Sequence, residues 1–473
     1  MATTAMSLTL AILAGLVLIY GYLLQLVNNI VPRSYMDEIF HVPQAQLYCK
    51  GQYLIWDPMI TTPPGLYLLS NILFSALNYL NNIGLKISCS TSFLRATNSL
   101  LGLGVYLVLF GLLHHLRPQQ SATKNTVTAL IISFFPVGFF YNFLYYTDTG
   151  STFFVLLSYL LSLKKRNYIA ALCSFVSIWF RQTNVIWNCF ILGNAVFTEL
   201  LEISENRKKG SAIGLRLSQL KHVGQLVQLI DQTVREILNN WKRVFLVALP
   251  YCINVILFVG FLKWNGGIVL GDKSNHIAGL HFPQIFYFIS FTSAFLAPYL
   301  VTSNNIGIIH SYVSSISFKA LSQLAVLLGC MNILIYKFTF EHPFLLSDNR
   351  HYSFYVWKKI YKLHSLVKYL LSPIYVIAGR LLCEIVRGLP VYWCLLYMIT
   401  ILLVLVPSPL LEFRYFILPF LMIRIHSSSE YESNLRLSWE FFVYLSINLF
   451  TLYMFLYRPF TWDNVDELQR FMW

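Results

Sequence analysis

The feature that most constrains this chain is a series of long apolar runs that carry almost no charge. Residues 5–26, 94–113, 244–262 and 441–456 approach or exceed the roughly 20 residues that a helix needs to cross a bilayer. Only 11% of the 473 residues are charged and 57% are hydrophobic, whereas soluble domains carry roughly 25% charged residues. A chain so poor in charge needs lipid around it, so the sequence predicts an integral membrane protein.

These runs favour membrane-spanning helices over a β-barrel. Barrel strands of about 10 residues alternate in polarity, whereas these runs are continuously apolar. The first run is longer than the apolar core of about 7–15 residues in a signal peptide, and no small-x-small site follows it. We therefore predict an all-α, polytopic bundle of about 12–14 transmembrane helices, with a retained first helix.

The net charge of +14 indicates topology rather than nucleic-acid binding. The basic residues form short clusters at 164–166, 207–209 and 242–243, which is typical of cytosolic loops. No basic stripe with interleaved aromatic residues occurs. With a cytosolic N-terminus, the sequence predicts a lumenal loop over 31–93 with a juxtamembrane helix at 65–80. It also predicts a cytosolic loop over 201–243 that carries an amphipathic surface helix.

The eight cysteines are dispersed, and most lie in apolar runs, where a thiol behaves as a small hydrophobe. The sequence contains no C-x-x-C pair and no metal-ligand spacing. Cys49 and Cys89 both fall in the predicted lumenal loop. They are able to form a disulfide if that loop faces an oxidising compartment.

Unusual polar residues gather at the helix ends that lie opposite the basic clusters in this topology. Ionisable groups near membrane depth are costly and usually face a cavity or one another. Any one of these polar clusters is explained equally well as the end of a helix, where charges are cheap. Six such clusters on one side of the membrane favour a single shared site. The candidate residues are Asp37, Glu38, His41, Trp56, Asp57, Tyr146, Asp148, Arg181, Gln182, Asn184, His276, Asp348, Arg350, His351, Tyr352, Glu412, Arg414 and Tyr415.

This mixture of carboxylates and guanidiniums suits transfer of a sugar from a polyprenyl phosphate. A carboxylate takes the proton of the attacking hydroxyl, and arginines hold the charge that builds on the departing phosphate. Asp37 and Glu38 are the candidate bases. Adjacent residues on a helix point about 100° apart, so we expect one to be the base and the other to position it or to bind substrate. The candidate phosphate ligands are Arg350 and Arg414, with Arg181 and His351 in reserve.

A metal site is the weaker interpretation of the same region. Asp37, Glu38 and His41 are adequate metal ligands on chemistry alone, but their spacing is a weak signal. We therefore expect no metal and no other cofactor. We predict one membrane-embedded domain over 1–473, in which 1–200 is the catalytic-loop half, 201–243 the cytosolic loop and 244–473 the substrate-binding half.

Asp37-Glu38 after the first helix resembles the first lumenal loop of the C-type glycosyltransferase fold, found in multi-spanning endoplasmic reticulum enzymes that use dolichyl-phosphate sugars. Longer strings resemble one family within it, the dolichyl-phosphate-glucose-dependent α-1,2-glucosyltransferases that complete the lipid-linked oligosaccharide for protein N-glycosylation. The matching strings run in order from residue 35 to residue 473: YMDEIFHVPQAQ at 35–46, WDPMITT at 56–62, NFLYY at 142–146, FRQTN at 180–184, NGGIVLG at 265–271, DNRHYSFYVW at 348–357, LEFRYFILP at 411–419 and RFMW at 470–473.

The resemblance implies the substrates and the location. The donor is dolichyl phosphate glucose, and the acceptor is a diglucosylated high-mannose oligosaccharide on dolichyl diphosphate. The linkage is α-1,2, formed with inversion and without a metal, at a site that faces the lumen from the endoplasmic reticulum membrane. Asp37 matches the position of the base, and the other candidates above are expected to bind substrate. Membrane lipid is a further partner; nucleic acid is not, and no protein partner is indicated.

The chain departs from related lumenal mannosyltransferases at one position. Those enzymes usually have a His two residues before the Glu of a Glu-x-Arg-Phe segment, whereas this chain has Leu410 before Glu412. The departure argues against a mannosyltransferase, and His351 is the candidate to replace that His at the phosphate. Two alternatives stay open: another dolichyl-phosphate-dependent transferase, and a non-enzymatic membrane regulator of a channel, although nothing in the sequence resembles a pore.

Overall fold

The computed structural model describes residues 2–80, 87–206, 212–273, 278–314, 317–428, 432–463 and 465–473, which are mostly helical. The chain divides into two compact units, Met1–Leu215 with Lys221–His276, and Arg216–Leu220 with Ile277–Trp473. The division predicted from the sequence, with halves at 1–200 and 244–473 and a loop at 201–243 between them, stays a prediction. In the structure, the helix that follows residue 240 packs against helices of the first unit.

The first unit contains eleven α-helices in its described residues. Their bounds are α1 Ala2–Ile30, α2 Glu38–Cys49, α3 Gly65–Leu80, α4 Thr91–Leu116, α5 Ala122–Ser133, α6 Pro136–Tyr141, α7 Thr147–Leu163, α8 Asn167–Phe180, α9 Asn184–Asn206, α10 Val223–Asn239 and α11 Trp241–Asn265. The apolar stretch at 127–141 is divided between α5 and α6. Pro136 explains the break, because proline lacks an N–H donor and disfavours helix in the residue before it.

The second unit is also helical and ends in a small hairpin. Its helices are α12 Pro283–Phe295, α13 Ala297–Leu300, α14 Ser303–Ser314, α15 Phe318–Phe338, α16 Pro343–Ser347, α17 Tyr352–Val356, α18 Val367–Leu370, α19 Ser372–Ile385, α20 Val391–Leu405, α21 Ile417–His426 and α22 Asn434–Tyr457. A π-helical turn at Trp357–Tyr361 follows α17, and a 3-10 turn at Phe413–Phe416 precedes α21. The strands β1 Phe460–Trp462 and β2 Val465–Gln469 pair antiparallel.

Six helices in the described residues are long and apolar enough to cross a membrane, judged by length and composition. They are Ser7–Ile30 within α1, α4, Asn184–Glu205 within α9, α11, α15 and α22, while α3, α8 and α20 are shorter apolar helices. Only 11% of the apolar window of α15 and 17% of that of α1 is buried, so their apolar side chains face outward, as lipid contact requires. The all-α membrane class is confirmed, and the count of 12–14 crossings stays a prediction.

The predicted amphipathic surface helix is α10. Its apolar residues Val223, Val227, Ile230, Val234 and Leu238 are each about half exposed or more. They recur at three- to four-residue spacing, so they form one face of the helix. Such a face suits the membrane interface, whereas the basic cluster at 207–209 lies outside the described residues.

A buried core in the first unit supports the loops that carry the candidate residues. It draws on α2, α3, α4 and the end of α8, together with the segments before α3 and α7. Its members are Val42, Ala45, Tyr48, Ile60, Leu66, Tyr67, Leu94, Tyr145 and Phe180. Because this core joins residues far apart in sequence, it fixes the first loop against α4 and α8.

Candidate active site

Asp37 stands where the first loop turns into α2. The residue before it, Met36, has a φ of 54°, a left-handed conformation that is uncommon for a residue with a side chain and that clusters at functional sites. The backbone N–H of Asp37 donates to the Tyr146 hydroxyl at 3.1 Å. Although Asp is a preferred N-cap residue, the Asp37 carboxylate makes no capping hydrogen bond to α2. The structure thus fixes the Asp37 backbone without using its carboxylate as a helix cap.

Glu38 forms a fully buried ion pair with Arg95 of α4. Arg95 Nε and Nη2 donate to Glu38 Oε1 and Oε2 at 2.8 and 2.6 Å, and both side chains have 0% exposure. The backbone N–H groups of Tyr35 and Tyr145 donate to the same carboxylate at 3.0 and 2.7 Å. Of the two roles predicted for Glu38, these contacts favour positioning the loop over binding substrate.

Arg95 extends this pair into a network between three segments. Its Nη1 donates to the carbonyl of Val31 at 2.7 Å and to Asn28 Oδ1 at 3.1 Å, and its Nη2 donates to the carbonyl of Arg33 at 3.1 Å. Arg95 therefore joins the end of α1, the loop before Asp37 and α4. Arg95 is not among the site residues predicted from the sequence. The available signal was a lone cation within the apolar run at 94–113, because such a residue needs a partner.

Aromatic rings surround the start of α2. His41 Nδ1 lies within hydrogen-bonding distance of the Tyr67 hydroxyl, and the His41 ring packs edge-on against Tyr146 with 6.3 Å between centroids. Trp56 packs edge-on against Tyr67 at 6.0 Å. The structure therefore brings three predicted site residues, His41, Trp56 and Tyr146, to the neighbourhood of Asp37.

Gln44 shapes the segment that carries Trp56 and Asp57. Its Nε2 donates to the carbonyl of Ile55 at 2.7 Å, and its Oε1 accepts from the backbone N–H of Asp57 at 2.9 Å. Asp57 Oδ1 accepts from the backbone N–H of Met59 at 2.9 Å, a local turn that Asp favours. Hydrogen bonds of the Gln44 and Asp57 side chains therefore hold the turn that carries Trp56 and Asp57.

A second loop docks directly on this segment. The backbone N–H groups of Leu270 and Asp272 donate to the carbonyls of Thr61 and Pro58 at 3.2 and 2.7 Å. Gly271 lies between them with a φ of 61°. Two motif strings that the sequence singled out separately, at 56–62 and 265–271, are therefore in contact.

Replacing Gly271 with Ala is expected to loosen this docking. An added Cβ would collide with the carbonyl oxygens of Pro58 and Ile60, and the left-handed backbone disfavours any side chain. We expect a loss of stability of about 1–3 kcal/mol, measured as a lower unfolding temperature of the purified protein. Gly279→Ala is the control, because open space surrounds that position. Equal unfolding temperatures for both variants would contradict the docking.

Asp148 and Arg181 form an ion pair at the start of α7. Arg181 Nη2 lies 3.0 Å from Asp148 Oδ1, and the side chains are 18% and 3% exposed. Asp148 occupies the first turn of α7, where the helix dipole favours a carboxylate. Gln182 Nε2 donates to the carbonyl of Thr61 at 2.7 Å, which links this pair to the 56–62 segment. The structure thus brings Gln182, the neighbour of Arg181, into contact with the 56–62 segment.

Asn184 fits its predicted role less well. Its Nδ2 donates to Ser151 Oγ and to the carbonyl of Ser177, both at 2.8 Å. The side chain is almost fully buried. These contacts hold the start of α9 against α7 and α8, so they favour a structural role over substrate binding.

Ion pairs of the predicted cytosolic clusters lie at the other end of the same helices. Lys165, just after α7, pairs with Glu202 near the end of α9, and Arg243 at the start of α11 pairs with Glu199. Asp148 is in the first turn of α7, whose 17 residues span about 25 Å. Within the described residues of the first unit, Asp148 and the candidate residues linked to it therefore lie at the helix ends opposite the basic clusters.

The first loop is closed by a disulfide between Cys49 and Cys89. The pairing that the sequence left open is thus present, and it joins the end of α2 to the segment before α4. Closing a loop with a sequence separation of 40 residues stabilises a fold by about 4 kcal/mol in the chain-entropy account. The bond therefore helps to hold α2, and with it Asp37, in place.

Alkylation of the unfolded protein is expected to distinguish these two cysteines from the others. Cys49 and Cys89 should be labelled only after reduction, because a disulfide has no thiolate to react. Cys330, which is free, is the control and should be labelled without reductant. Mass spectrometry of the labelled peptides makes the measurement. Labelling of Cys89 before reduction would contradict the pairing.

In the second unit, Asp348 and Arg350 form a local bidentate pair. Arg350 Nε and Nη2 donate to Asp348 Oδ1 and Oδ2, both at 2.8 Å. Arg350 Nη1 donates to Gln469 Oε1 at 3.0 Å, and the guanidinium lies over the Trp462 ring. Partial burial opposes ionisation of Asp348, but the hydrogen bonds from Arg350 and the charges of Arg350 and His351 outweigh it and lower the pKa of that carboxyl.

Glu412 and Arg414 repeat this acid-x-arginine arrangement. Arg414 Nη2 donates to Glu412 Oε1 at 3.0 Å, Arg414 Nε contacts Glu412 Oε2, and the guanidinium lies over the Tyr415 ring. In both pairs the carboxylate two residues earlier orients a partly buried guanidinium. Arg414 stays 16% exposed and Arg350 22% exposed, so both retain access to the surface.

Trp473 joins the segments that carry these two pairs. Its ring centroid lies 5.2 Å from that of Tyr352 and 5.9 Å from that of Phe413. His351 Nδ1 lies 2.8 Å from the main-chain oxygen of Trp473. The structure thus connects the strings at 348–357, 411–419 and 470–473, and it places His351 beside them. His276 lies outside the described residues.

One of the three residues considered as metal ligands in the first loop has another partner. Glu38 is committed to Arg95, which leaves Asp37 and His41 of the three ligands considered. Across the described residues, no group of three or more His, Cys, Asp or Glu side chains converges to hold an ion.

Comparison with known proteins decides the family. The model of the DIE2/ALG10 family matches residues 31–425. The chain belongs to the DIE2/ALG10 family. The match includes Asp37, the acid-x-arginine pairs and every other candidate site residue, so the family predicted from the motif strings is confirmed.

This DIE2/ALG10 family member has relatives across animals and plants. Proteins from Mus musculus and Homo sapiens are each 39% identical, over 450 and 448 residues and 93% of both chains. One from Arabidopsis thaliana is 37% identical over 95% of this chain and 96% of its own. All three are named Dol-P-Glc:Glc(2)Man(9)GlcNAc(2)-PP-Dol alpha-1,2-glucosyltransferase.

Among solved structures, the apo oligosaccharyltransferase of Archaeoglobus fulgidus aligns with a TM-score of 0.34 at 12% identity. The alignment covers 93% of this chain and 55% of that one. A likeness at this level carries no argument about the fold of this DIE2/ALG10 family member.

Proposed function

We propose that this chain transfers glucose from dolichyl phosphate glucose onto Glc2Man9GlcNAc2-PP-dolichol in α-1,2 linkage. The transfer completes the lipid-linked oligosaccharide used for protein N-glycosylation. The observation that carries the proposal is the 37–39% identity, over more than nine tenths of each chain, to relatives named for that activity. The Asp37 cluster supplies chemistry that suits it.

The reaction is a single displacement that inverts the anomeric carbon. The 2-hydroxyl oxygen of the acceptor's terminal glucose attacks that carbon, and the bond from the carbon to the phosphate oxygen breaks. Dolichyl phosphate leaves with the bonding electrons, and the hydroxyl proton passes to the Asp37 carboxylate. Because phosphate is already a good leaving group, the reaction needs one base and no covalent intermediate. The fixed Asp37 backbone, with a carboxylate not used as a cap, supports this role.

Arg350 and Arg414 bind the donor phosphate in this proposal. Bidentate guanidiniums suit phosphate recognition, and Asp348 and Glu412 orient the two side chains. His351 contributes a further hydrogen-bond donor. It replaces the histidine that related mannosyltransferases have where this chain has Leu410. Arg181, held by Asp148, is the reserve ligand.

The remaining candidates bind sugar and position it. Trp56, Tyr146, Tyr352 and Tyr415 offer ring faces to the apolar sides of glucose. His41, Asp57 and Gln182 offer hydrogen-bond groups on the segments that surround the start of α2. Glu38 acts indirectly, because its contacts with Arg95 hold the Asp37 loop in place.

We also infer that the reaction requires no metal, because one base and two guanidiniums supply the proton acceptor and the phosphate charge. Glucose transfer by the purified protein should therefore be insensitive to a chelator. A rate that falls with the chelator and returns on adding a divalent cation would contradict this inference.

The proposed location is the endoplasmic reticulum membrane, with the site facing the lumen. The Cys49–Cys89 disulfide supports an oxidising compartment for the first loop. The basic clusters at the opposite helix ends support a cytosolic position for those ends.

A transfer assay with defined acceptors tests the proposal. The purified protein is given dolichyl phosphate glucose and, in parallel, acceptors that carry one or two glucose residues. We expect one glucose to be added to the diglucosylated acceptor, in a product sensitive to an α-1,2-specific glucosidase. Preference for the monoglucosylated acceptor, or use of dolichyl phosphate mannose, would favour another dolichyl-phosphate-dependent transferase instead.

A further inference from the structure

The Arg470–Trp473 segment forms an isolated β-bridge with the loop that carries Arg350. The backbone N–H of Met472 donates to the carbonyl of Arg350 at 2.9 Å, and the N–H of Tyr352 donates to the carbonyl of Met472 at 3.1 Å. Together these bonds form a parallel bridge between His351 and Met472. The segment therefore sets the backbone register of the residues on either side of His351.

Arg470 anchors the other end of this segment. Its Nη1 donates to the carbonyls of Phe455 and Leu456 at 2.8 and 2.9 Å, which lie in the last turn of α22. Carbonyls at a helix end lack partners within the helix, so this arginine satisfies them and fixes the segment to α22. Arg470 and Met472 are both buried.

The ring of Trp473 then fills the junction between the two acid-x-arginine pairs. It contacts Tyr352, two residues after Arg350, and Phe413, which directly precedes Arg414. It also approaches Phe295 of α12 at 6.5 Å between centroids. One side chain thus touches both segments that carry the proposed phosphate ligands.

The segment also selects the chemistry of His351. Its Nδ1 lies 2.8 Å from the main-chain oxygen of Trp473, and a carbonyl-type oxygen only accepts. Nδ1 is therefore the donor in this hydrogen bond, and the ring is oriented with Nε2 on the side of Asp348. Nε2 lies 3.8 Å from Asp348 Oδ2.

We propose that the Arg470–Trp473 segment is a positioning element of the donor site, with Trp473 holding Arg350, His351 and Arg414 in the arrangement that binds the donor phosphate. The proposal rests on the function proposed above, because it takes these residues as phosphate ligands. Trp473 acts through them and does not itself contact the reacting atoms.

The test measures the KM for each substrate in variants of the full chain. Trp473→Ala removes the ring, and Trp473→Leu replaces it with an apolar side chain. Trp473→Phe keeps an aromatic ring. Because the ring contacts both segments that carry the proposed phosphate ligands, its loss should raise the donor KM about tenfold or more. The acceptor KM should stay unchanged, and Trp473→Phe should recover most of the loss. Trp439→Ala, at an exposed tryptophan of α22, is the matched control.

A double variant separates positioning from packing. If Trp473 acts in part through Arg350, the increase in donor KM in Arg350→Ala with Trp473→Leu should be smaller than the product of the two single increases. An increase equal to that product, or a normal donor KM in Trp473→Leu, would overturn the positioning role. A normal donor KM in both Arg350→Ala and Arg414→Ala would instead overturn the proposed phosphate ligands, so the two failures are distinguishable.

Discussion

Asp37→Asn should lower kcat for glucose transfer by about 100- to 10,000-fold. The amide has the same shape as the carboxylate but does not take a proton at neutral pH. Because the two side chains have the same size and shape, the substitution should leave the fold intact. Initial rates with saturating donor and acceptor make the measurement.

Asp231→Asn is the control for this substitution. Asp231 is an exposed carboxylate of α10, paired with Arg235, and its loss should leave kcat unchanged. Normal unfolding temperatures for both variants would show that the rate reports chemistry. A normal rate in Asp37→Asn together with a large loss in Asp57→Asn or Asp148→Asn would assign the base to another carboxylate.

Arg95→Met is expected to have the largest effect on stability. Removing one partner of a buried ion pair leaves the other charge buried and unpaired, which costs about 3–5 kcal/mol. Glu38 would keep its two backbone donors but lose the guanidinium, and the carbonyls of Val31 and Arg33 would lose theirs. Thermal unfolding of the purified protein should show the loss directly.

Two further variants test this interpretation of Arg95. Arg235→Met breaks an exposed ion pair with Asp231 and should cost less than about 1 kcal/mol. The combination of Glu38→Gln with Arg95→Met should be less unstable than the sum of the single changes, because neither charge is left alone. Additive losses would show that Glu38 and Arg95 do not act as a pair.

The sequence was sufficient for the features that depend on composition and local pattern. Apolar runs predict the helical membrane class, and the basic clusters predict which helix ends lie together. Cys49 and Cys89 stood out because both fall in one predicted loop. The motif strings identified the family and singled out most of the residues that the structure gathers around Asp37.

Features that depend on long-range packing were not predictable from the sequence. The partner of Glu38 is Arg95, 57 residues later, and no local pattern connects them. The docking of 265–272 on 56–62 and the bridge between His351 and Met472 likewise join distant segments. The left-handed backbone of Met36 is set by tertiary contacts, because a methionine has no preference for it.

Structure determination with a non-reactive analogue of dolichyl phosphate glucose and the diglucosylated acceptor is the most direct measurement of the role of Asp37. We predict that an oxygen of its carboxylate lies about 3 Å from the 2-hydroxyl of the acceptor's terminal glucose. Finding that hydroxyl beside a different carboxylate, with Asp37 out of hydrogen-bonding reach, would contradict the role of Asp37 as the base.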